Sequence, residues 1–315
     1  MNIRKGLIAG VVAVGVLTGN AHAAAPYSGI VVIGDSLSDA GNFGAFFGPG
    51  TIPAPYFADH FSNGKTWIED VASSLGLQLK PSAAGGSDFA WGGATTGAPL
   101  AQNGLLPPFD LQVQTQQFLT GAGGVAHPEL LYVVWGGGND LLQGNVTGTI
   151  ANLATTITTL AGAGARHFLI SNGYDTTPKA NALGAQTVAL TKFVVGQLND
   201  ALDQSLHGLA NQMPLLDIRE MNTAGLFHSL VANPAGFGLS NVTDACFVAS
   251  VPSLCADPAA FLFWDSVHPT AHGHQLIADE ALRTLNAAPI PVPPALWLFG
   301  SALGLLGIER RRRAA

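Results

Sequence analysis

Runs of apolar residues that stop at glycine-bearing turns alternate along this chain with stretches of helical period. Ile30-Val31-Val32-Ile33 ends at Gly34-Asp35-Ser36, and Val133-Val134-Trp135 ends at Gly136-Gly137-Gly138-Asn139. Unbroken apolar runs of this kind suit strands buried on both faces of a parallel sheet. Phe168-Leu169-Ile170 reads as a further short buried strand, and Leu215-Leu216-Asp217-Ile218 as the last one. Between Thr66 and Leu75 the apolar positions Trp67, Ile68, Val71, Ala72 and Leu75 fall at helical spacing. Gln112 to Leu119 and Val146 to Leu160 read as helices too. Ala180 to Met213 reads as one long helix ended by Pro214, and Ala271 to Leu285 as a closing helix. Strands alternating with helices predict an α/β architecture, a parallel sheet covered on both faces. Ala40 to Phe61 and Asn233 to Ala260 carry neither period and read as loops.

The turns carry the chemistry. Gly34 allows a sharp exit from a strand. Ser36 then stands at the carboxyl end of a central strand, beside the start of the next helix. Ligands bind at that edge in open α/β sheets, and helix N-termini favour developing negative charge. Taken alone, the segment fits a capped helix as well as an activated serine. A serine hydroxyl needs a base, and the base needs a carboxylate to fix its tautomer. Asp265-Ser266-Val267-His268 offers both, three residues apart, so that one turn can face them the same way. The side-chain NH2 of Asn139 and a backbone N–H at Gly92-Gly93 are candidate donors to an oxyanion.

Together these segments resemble the GDSL (SGNH) serine esterase/lipase family. Gly34-Asp35-Ser36-Leu37-Ser38 matches its naming motif. Gly93, in Gly92-Gly93-Ala94-Thr95-Thr96, matches its second block, Asn139 its third, and Asp265 with His268 its fifth. The match runs in order from about Ile30 to Leu285. The resemblance implies a three-layer α/β/α SGNH-hydrolase (flavodoxin-like) fold with a central parallel sheet. It implies Ser36 as nucleophile, His268 as base and Asp265 as its orienter. Ser36 N–H, Gly93 N–H and the Asn139 amide would form the oxyanion hole. No cofactor or metal is implied. No Gly-x-Ser-x-Gly elbow occurs in the chain, which speaks against an α/β-hydrolase. The expected activity is hydrolysis of carboxylic esters. A phospholipase, a polysaccharide O-deacetylase and a non-catalytic envelope or matrix protein are the alternatives.

Composition narrows the setting. The chain has 315 residues, 48% of them hydrophobic, only 10% charged, with 39 glycines; the length permits two domains or, equally, one large α/β domain, and the glycines fit short turns. Its net charge is −7, and its basic residues crowd the two ends: Arg4, Lys5 and Arg310 to Arg313. The body is therefore more acidic than the whole, and nucleic acid is excluded as a partner. Arg4 and Lys5 precede an apolar stretch, Gly6 to Leu17, and then Ala21-His22-Ala23, which reads as a signal peptide cleaved after Ala23. The hydrolase domain is expected over residues 24–288. From Pro289 onward a proline-rich linker leads to apolar Ala295 to Ile308 and the arginine cluster. This tail, residues 289–315, resembles the PEP-CTERM sorting signal of Gram-negative bacteria, with Val292-Pro293-Pro294 in place of Pro-Glu-Pro. That resemblance implies Sec export, processing by an exosortase, transient membrane contact through the tail, and a place in the envelope, the matrix or the medium. A permanent tail anchor is the alternative.

In an exported protein Cys246 and Cys255 are expected to pair and to pin the segment before Asp265. Phe43, Phe46, Phe47 and Tyr56 in the first loop are candidate contacts for an apolar acyl group, or simply packed rings. His268, His272 and His274 cluster at a helix start, but His272 and His274 read as capping or packing residues rather than metal ligands. Asp39 reads as a cap or buttress of the first helix, and Asp35 as support for the oxyanion site or for that same helix end.

Overall fold

The structure is a computed structural model that describes residues 27–97, 109–251 and 253–287. Both terminal segments, the signal peptide and the sorting tail of the sequence reading, lie outside the described residues. In chain order the first elements are β1 (Gly29–Gly34), α1 (Asn42–Phe47), α2 (Trp67–Ser74) and α3 (Leu111–Gly121). Next come β2 (Leu130–Trp135), α4 (Gly138–Leu142), α5 (Thr149–Gly162) and β3 (His167–Ser171). Then follow α6 (Pro178–Ala182), α7 (Ala185–Gln212), β4 (Asp217–Met221) and α8 (Thr223–Ala232). Four short strands, β5 (Asn241–Ala245), β6 (Phe247–Val248), β7 (Ser253–Leu254) and β8 (Phe261–Phe263), precede α9 (Ala271–Asn286).

The four long strands form one parallel sheet in the order β1-β2-β3-β4. Successive side chains of a strand point to opposite faces, and the core divides by that alternation. Ile30, Val32, Leu131, Val133 and Trp135 pack with Trp67 and Val71 of α2, Phe227 of α8 and Ile277 of α9. Val31, Ile33, Tyr132, Val134 and Phe168 pack on the other face with Phe118 of α3, Ile157 of α5 and Leu206 of α7. This is the three-layer α/β/α arrangement expected from the sequence. Burying each such large apolar side chain contributes about 1.5–3 kcal/mol.

The chain marks its own helix starts. Thr66 and Glu69 form a capping box at α2. Asp110 accepts the N–H groups of Gln112 and Val113 at α3, and Thr270 accepts that of Gly273 at α9.

Several boundaries differ from the sequence reading. β1 is not central within the regular ladder but stands at its edge. The segment Ser87 to Trp91 covers that edge: Val32 N–H donates to Ser87 O (3.0 Å), Phe89 N–H to Val32 O (2.8 Å) and Trp91 N–H to Gly34 O (3.1 Å). This fifth, irregular strand is polar at Ser87 and Asp88, so no apolar run announces it. The long helix from Ala180 is broken: α6 begins at Pro178, and Gly184 at φ 92° separates it from α7. The last strand of the main sheet is Asp217–Met221, not Leu215 to Ile218, because Leu215 lies exposed beyond the sheet. α5 starts at Thr149 rather than Val146. The first loop contains α1, and the second contains β5, β6 and β7.

Candidate active site

The expected residues meet at the carboxyl edge of the sheet, where β1 and β2 deliver their turns. β1 ends at Gly34, whose backbone is gripped by a side chain. The fully buried Gln114 accepts the Gly34 N–H at 2.8 Å and donates to the Gly34 carbonyl at 2.8 Å. Two residues on, Ser36 is 8% exposed, and its Oγ lies 2.8 Å from His268 Nε2. His268 Nδ1 lies 2.7 Å from Asp265 Oδ2. The three side chains therefore form a continuous hydrogen-bonded relay, although Ser36 and His268 are 232 positions apart.

The Asp265–His268 segment is a self-bonded turn. Asp265 Oδ1 accepts the N–H groups of Val267 (2.9 Å) and His268 (2.8 Å), as short polar side chains do in turns. Trp264 N–H donates to His268 O at 2.7 Å and closes the loop between β8 and α9. Phe61 lies against the imidazole, ring centroids 5.2 Å apart. Burial works to raise the Asp265 pKa, but the facing His268, its hydrogen bond and the two backbone donors outweigh it and bring it down to about 2. The carboxylate is thus held charged, as an orienter of imidazolium must be.

Sequence reasoning missed a further partner. Tyr56 Oη donates to Asp265 Oδ2 at 2.8 Å across 209 positions. Burial and then the Asp265 charge raise the Tyr56 pKa, so the phenol keeps its proton. Tyr56 was a candidate for acyl contact; its hydroxyl is committed to the relay. Its ring also contacts Phe247 (5.6 Å) and Trp264 (6.1 Å). The Cys246–Cys255 disulfide forms, with Cα atoms 4.8 Å apart, at the base of the β6–β7 hairpin. Cys246 N–H donates to Phe263 O and Phe247 N–H to Trp264 O, so the bridged hairpin does brace the strand that leads into Asp265.

Gly92 and Gly93 separate cleanly. The Gly92 N–H is taken by Asp39 Oδ2 at 3.0 Å, and a Cβ there would stand 2.2 Å from the Phe61 ring. Gly93 is exposed, at φ 82°, with open space where a side chain would be. Asn139, in the first turn of α4, donates to Ala94 O at 2.9 Å, which ties the Asn139 turn to the Gly93 turn. The neighbouring Asp140 adds a second tie: it accepts from Thr96 N–H (3.0 Å) and Thr96 Oγ (2.7 Å). An amide has a second N–H, so Asn139 retains one donor besides the one given to Ala94 O.

Beneath the site lie buried carboxyl groups. Asp39 caps α1 through Gly41 and Asn42 N–H besides holding Gly92, so its buttress role has two parts. Burial raises its pKa to about 7 despite those donors. Asp88 holds the N–H groups of Ala40 and Ala90, and burial raises it as well. Asp35 accepts the Leu37 N–H, and burial raises it to about 6. The three clustered histidines face different partners. His268 joins the relay, His272 Nδ1 meets Ala259 O at 2.6 Å, and His274 Nδ1 accepts the Trp67 N–H at 3.2 Å. Burial brings the His274 pKa down to about 3, which keeps it neutral as an acceptor. Phe43, Phe46 and Phe47 pack on one another and on Trp91.

A family model described as GDSL-like Lipase/Acylhydrolase matches residues 30–281. The chain is 29% identical to esterase EstA of Pseudomonas aeruginosa, over 90% of this chain and 50% of that one. It is 27% identical to the thermolabile hemolysin of Vibrio parahaemolyticus, over 82% of this chain and 63% of that one. It thus spans half to two thirds of the length of these curated relatives. Among solved structures, an acetyl xylan esterase from Geobacillus stearothermophilus aligns with a TM-score of 0.47 and 15% identity, over 83% of this chain and 96% of that one. The family model covers most of the chain, over the span in which the sequence motifs stand in order: this chain belongs to the GDSL-like lipase/acylhydrolase family.

Proposed function

We propose that this chain hydrolyses carboxylic esters through an acyl-enzyme on Ser36. The observation that carries the reading is the relay itself, 2.8 Å from Ser36 Oγ to His268 Nε2 and 2.7 Å from His268 Nδ1 to Asp265 Oδ2. Bonding to Asp265 puts the imidazole proton on Nδ1 and leaves Nε2 as acceptor. His268 takes the Ser36 proton as Oγ attacks the ester carbonyl. The tetrahedral oxyanion then draws on the N–H groups of Ser36 and Gly93 and the remaining amide N–H of Asn139. Collapse of that intermediate breaks the C–O bond, and His268 returns the proton to the leaving alcohol. Water, deprotonated by the same imidazole, frees the acid and restores the serine.

The fixed turns support the same reading. Gln114 holds Gly34, Asp39 holds Gly92, and Asp140 holds Thr96, so side chains fix the turns that would carry the donors. Preorganised donors of this kind stabilise a transition state without reorganising.

The hydrolase domain is proposed to occupy residues 24–288 of an exported protein. Residues 1–23 would direct Sec export, and residues 289–315 would act as a PEP-CTERM-type tail for an exosortase. Among the described residues no helix is long and apolar enough to cross a membrane. The test is a fluorophosphonate probe followed by peptide mass spectrometry. The reading expects the adduct on Ser36; an adduct elsewhere, or active enzyme without one, would overturn it.

A further inference from the structure

The site opens beside a large apolar cavity that none of the residues discussed so far explains. It measures about 470 Å³ and lies between α4 and α5 on one side and α6 and α7 on the other. That is within the roughly 300–1,000 Å³ typical of small-molecule sites. Its near wall is the catalytic edge. Asp35 and Leu37 flank Ser36, Gly138 precedes Asn139, Val267 precedes His268, and all four line the cavity. Ile150 of α5 and Val194 and Leu198 of α7 line it as well. So do Leu183, 66% exposed, and Leu190, 61% exposed. The cavity therefore joins the neighbours of the nucleophile to exposed apolar side chains.

The aromatic side chains of the first loop form a half-exposed cluster instead, with Phe46 and Phe47 centroids 4.9 Å apart and the two rings 55% and 47% exposed. We propose that the cavity between Ile150 and Val194 receives the acyl chain, and that the preferred substrates are esters of medium and long fatty acids. This deepens the reading of Ser36 as the nucleophile of an ester hydrolase and rests on it.

Hydrophobic transfer sets the expected size of the effect. Each methylene moved from water into such a cavity should raise kcat/KM about fourfold until the cavity is filled. The experiment uses the full-length chain with p-nitrophenyl acetate, butyrate and octanoate, alongside Val194→Trp and Ile150→Trp, which fill the cavity from α7 and from α5. Phe46→Ala in the aromatic cluster is the control. The proposal expects kcat/KM to climb along the parent series and the octanoate-to-acetate ratio to fall at least about tenfold in either tryptophan variant. The ratio should stay unchanged in Phe46→Ala. A flat or falling parent series, or a ratio that moves in Phe46→Ala but in neither tryptophan variant, would overturn it while leaving Ser36 chemistry standing. No turnover of any ester would instead bring down the proposed function on which it rests.

Discussion

The Tyr56 hydroxyl donates to Asp265 Oδ2 at 2.8 Å, the same oxygen that faces His268 Nδ1. That oxygen thus serves two donors, while Oδ1 serves the backbone N–H groups of Val267 and His268. The phenol anchors the carboxylate through a residue outside the turn. Tyr56→Phe removes one hydrogen bond to a charged acceptor and leaves the ring packing in place. Such a bond contributes about 1.5–3 kcal/mol, so kcat should fall about tenfold or more with little change in KM. Steady-state kinetics on a p-nitrophenyl ester measures both constants. An unchanged kcat would mean that the turn alone orients Asp265.

Asn139 and the two glycines divide into a donor and a spacer. Asn139→Ala should lower kcat by about 10²–10³-fold. Gly92→Ala should act by another route, since its Cβ would press on the Phe61 ring 2.2 Å away. That ring lies against His268, so the variant should lose activity and thermal stability together. Comparing kcat with the melting temperature for each variant separates the two. Asn139→Ala also loses its hydrogen bond to Ala94 O and is expected to lower the melting temperature less than Gly92→Ala does.

The disulfide should matter to both stability and chemistry. Its partners are 9 positions apart, and a loop that short contributes roughly 2.5–3 kcal/mol on a chain-entropy account. Cys246→Ser with Cys255→Ser should lower the melting temperature by several degrees. Because the hairpin braces Phe263 and Trp264, activity should decline below the unfolding range as well. Activity measured against temperature, with and without reductant, reports both effects.

Buried carboxyl groups give the fold an unusual pH dependence. The folded state holds a proton on Asp39 up to a pKa of about 7, whereas an unfolded Asp releases it near 3.8. Between those values the native state binds more protons, so this group's contribution to stability falls as pH rises. Asp35, raised to about 6, acts in the same direction. His274 works oppositely: held neutral down to about 3, it costs stability as pH falls below its ordinary 6.5. Asp39→Asn should therefore lose less stability than the parent between pH 5 and pH 8. Urea unfolding at the two pH values gives the comparison, and an equal loss in both proteins would contradict it.

Much of the site was legible because its parts are local. A β-branched run before Gly34-Asp35-Ser36, and Asp265 three residues from His268, carry their meaning in adjacent positions. The alternating strands and helices also gave the layers. What escaped the sequence is held together across long separations. The Ser87 to Trp91 edge segment is polar, with Asp88 turned inward to cap Ala40 and Ala90 rather than an apolar side chain to mark a strand. The Tyr56–Asp265 and Gln114–Gly34 bonds join residues 209 and 80 positions apart, and neither Tyr56 nor Gln114 stands in a motif that would suggest its partner. The break at Gly184 was visible as a glycine in a helical pattern, yet a single glycine inside a helix is often tolerated. The cavity proposed for the acyl chain is lined by residues from α4 to α7 and from the turns of the sheet edge, so no window of sequence contains it.

The central claim is that Ser36 is the nucleophile, and the direct measurement is turnover of p-nitrophenyl butyrate by the parent and by Ser36→Ala. Removing Oγ leaves the fold and the proposed oxyanion donors intact but removes the atom that forms the acyl-enzyme. The account predicts a fall in kcat of more than about 10³-fold with an unchanged melting temperature. Parent-level turnover in Ser36→Ala would contradict it.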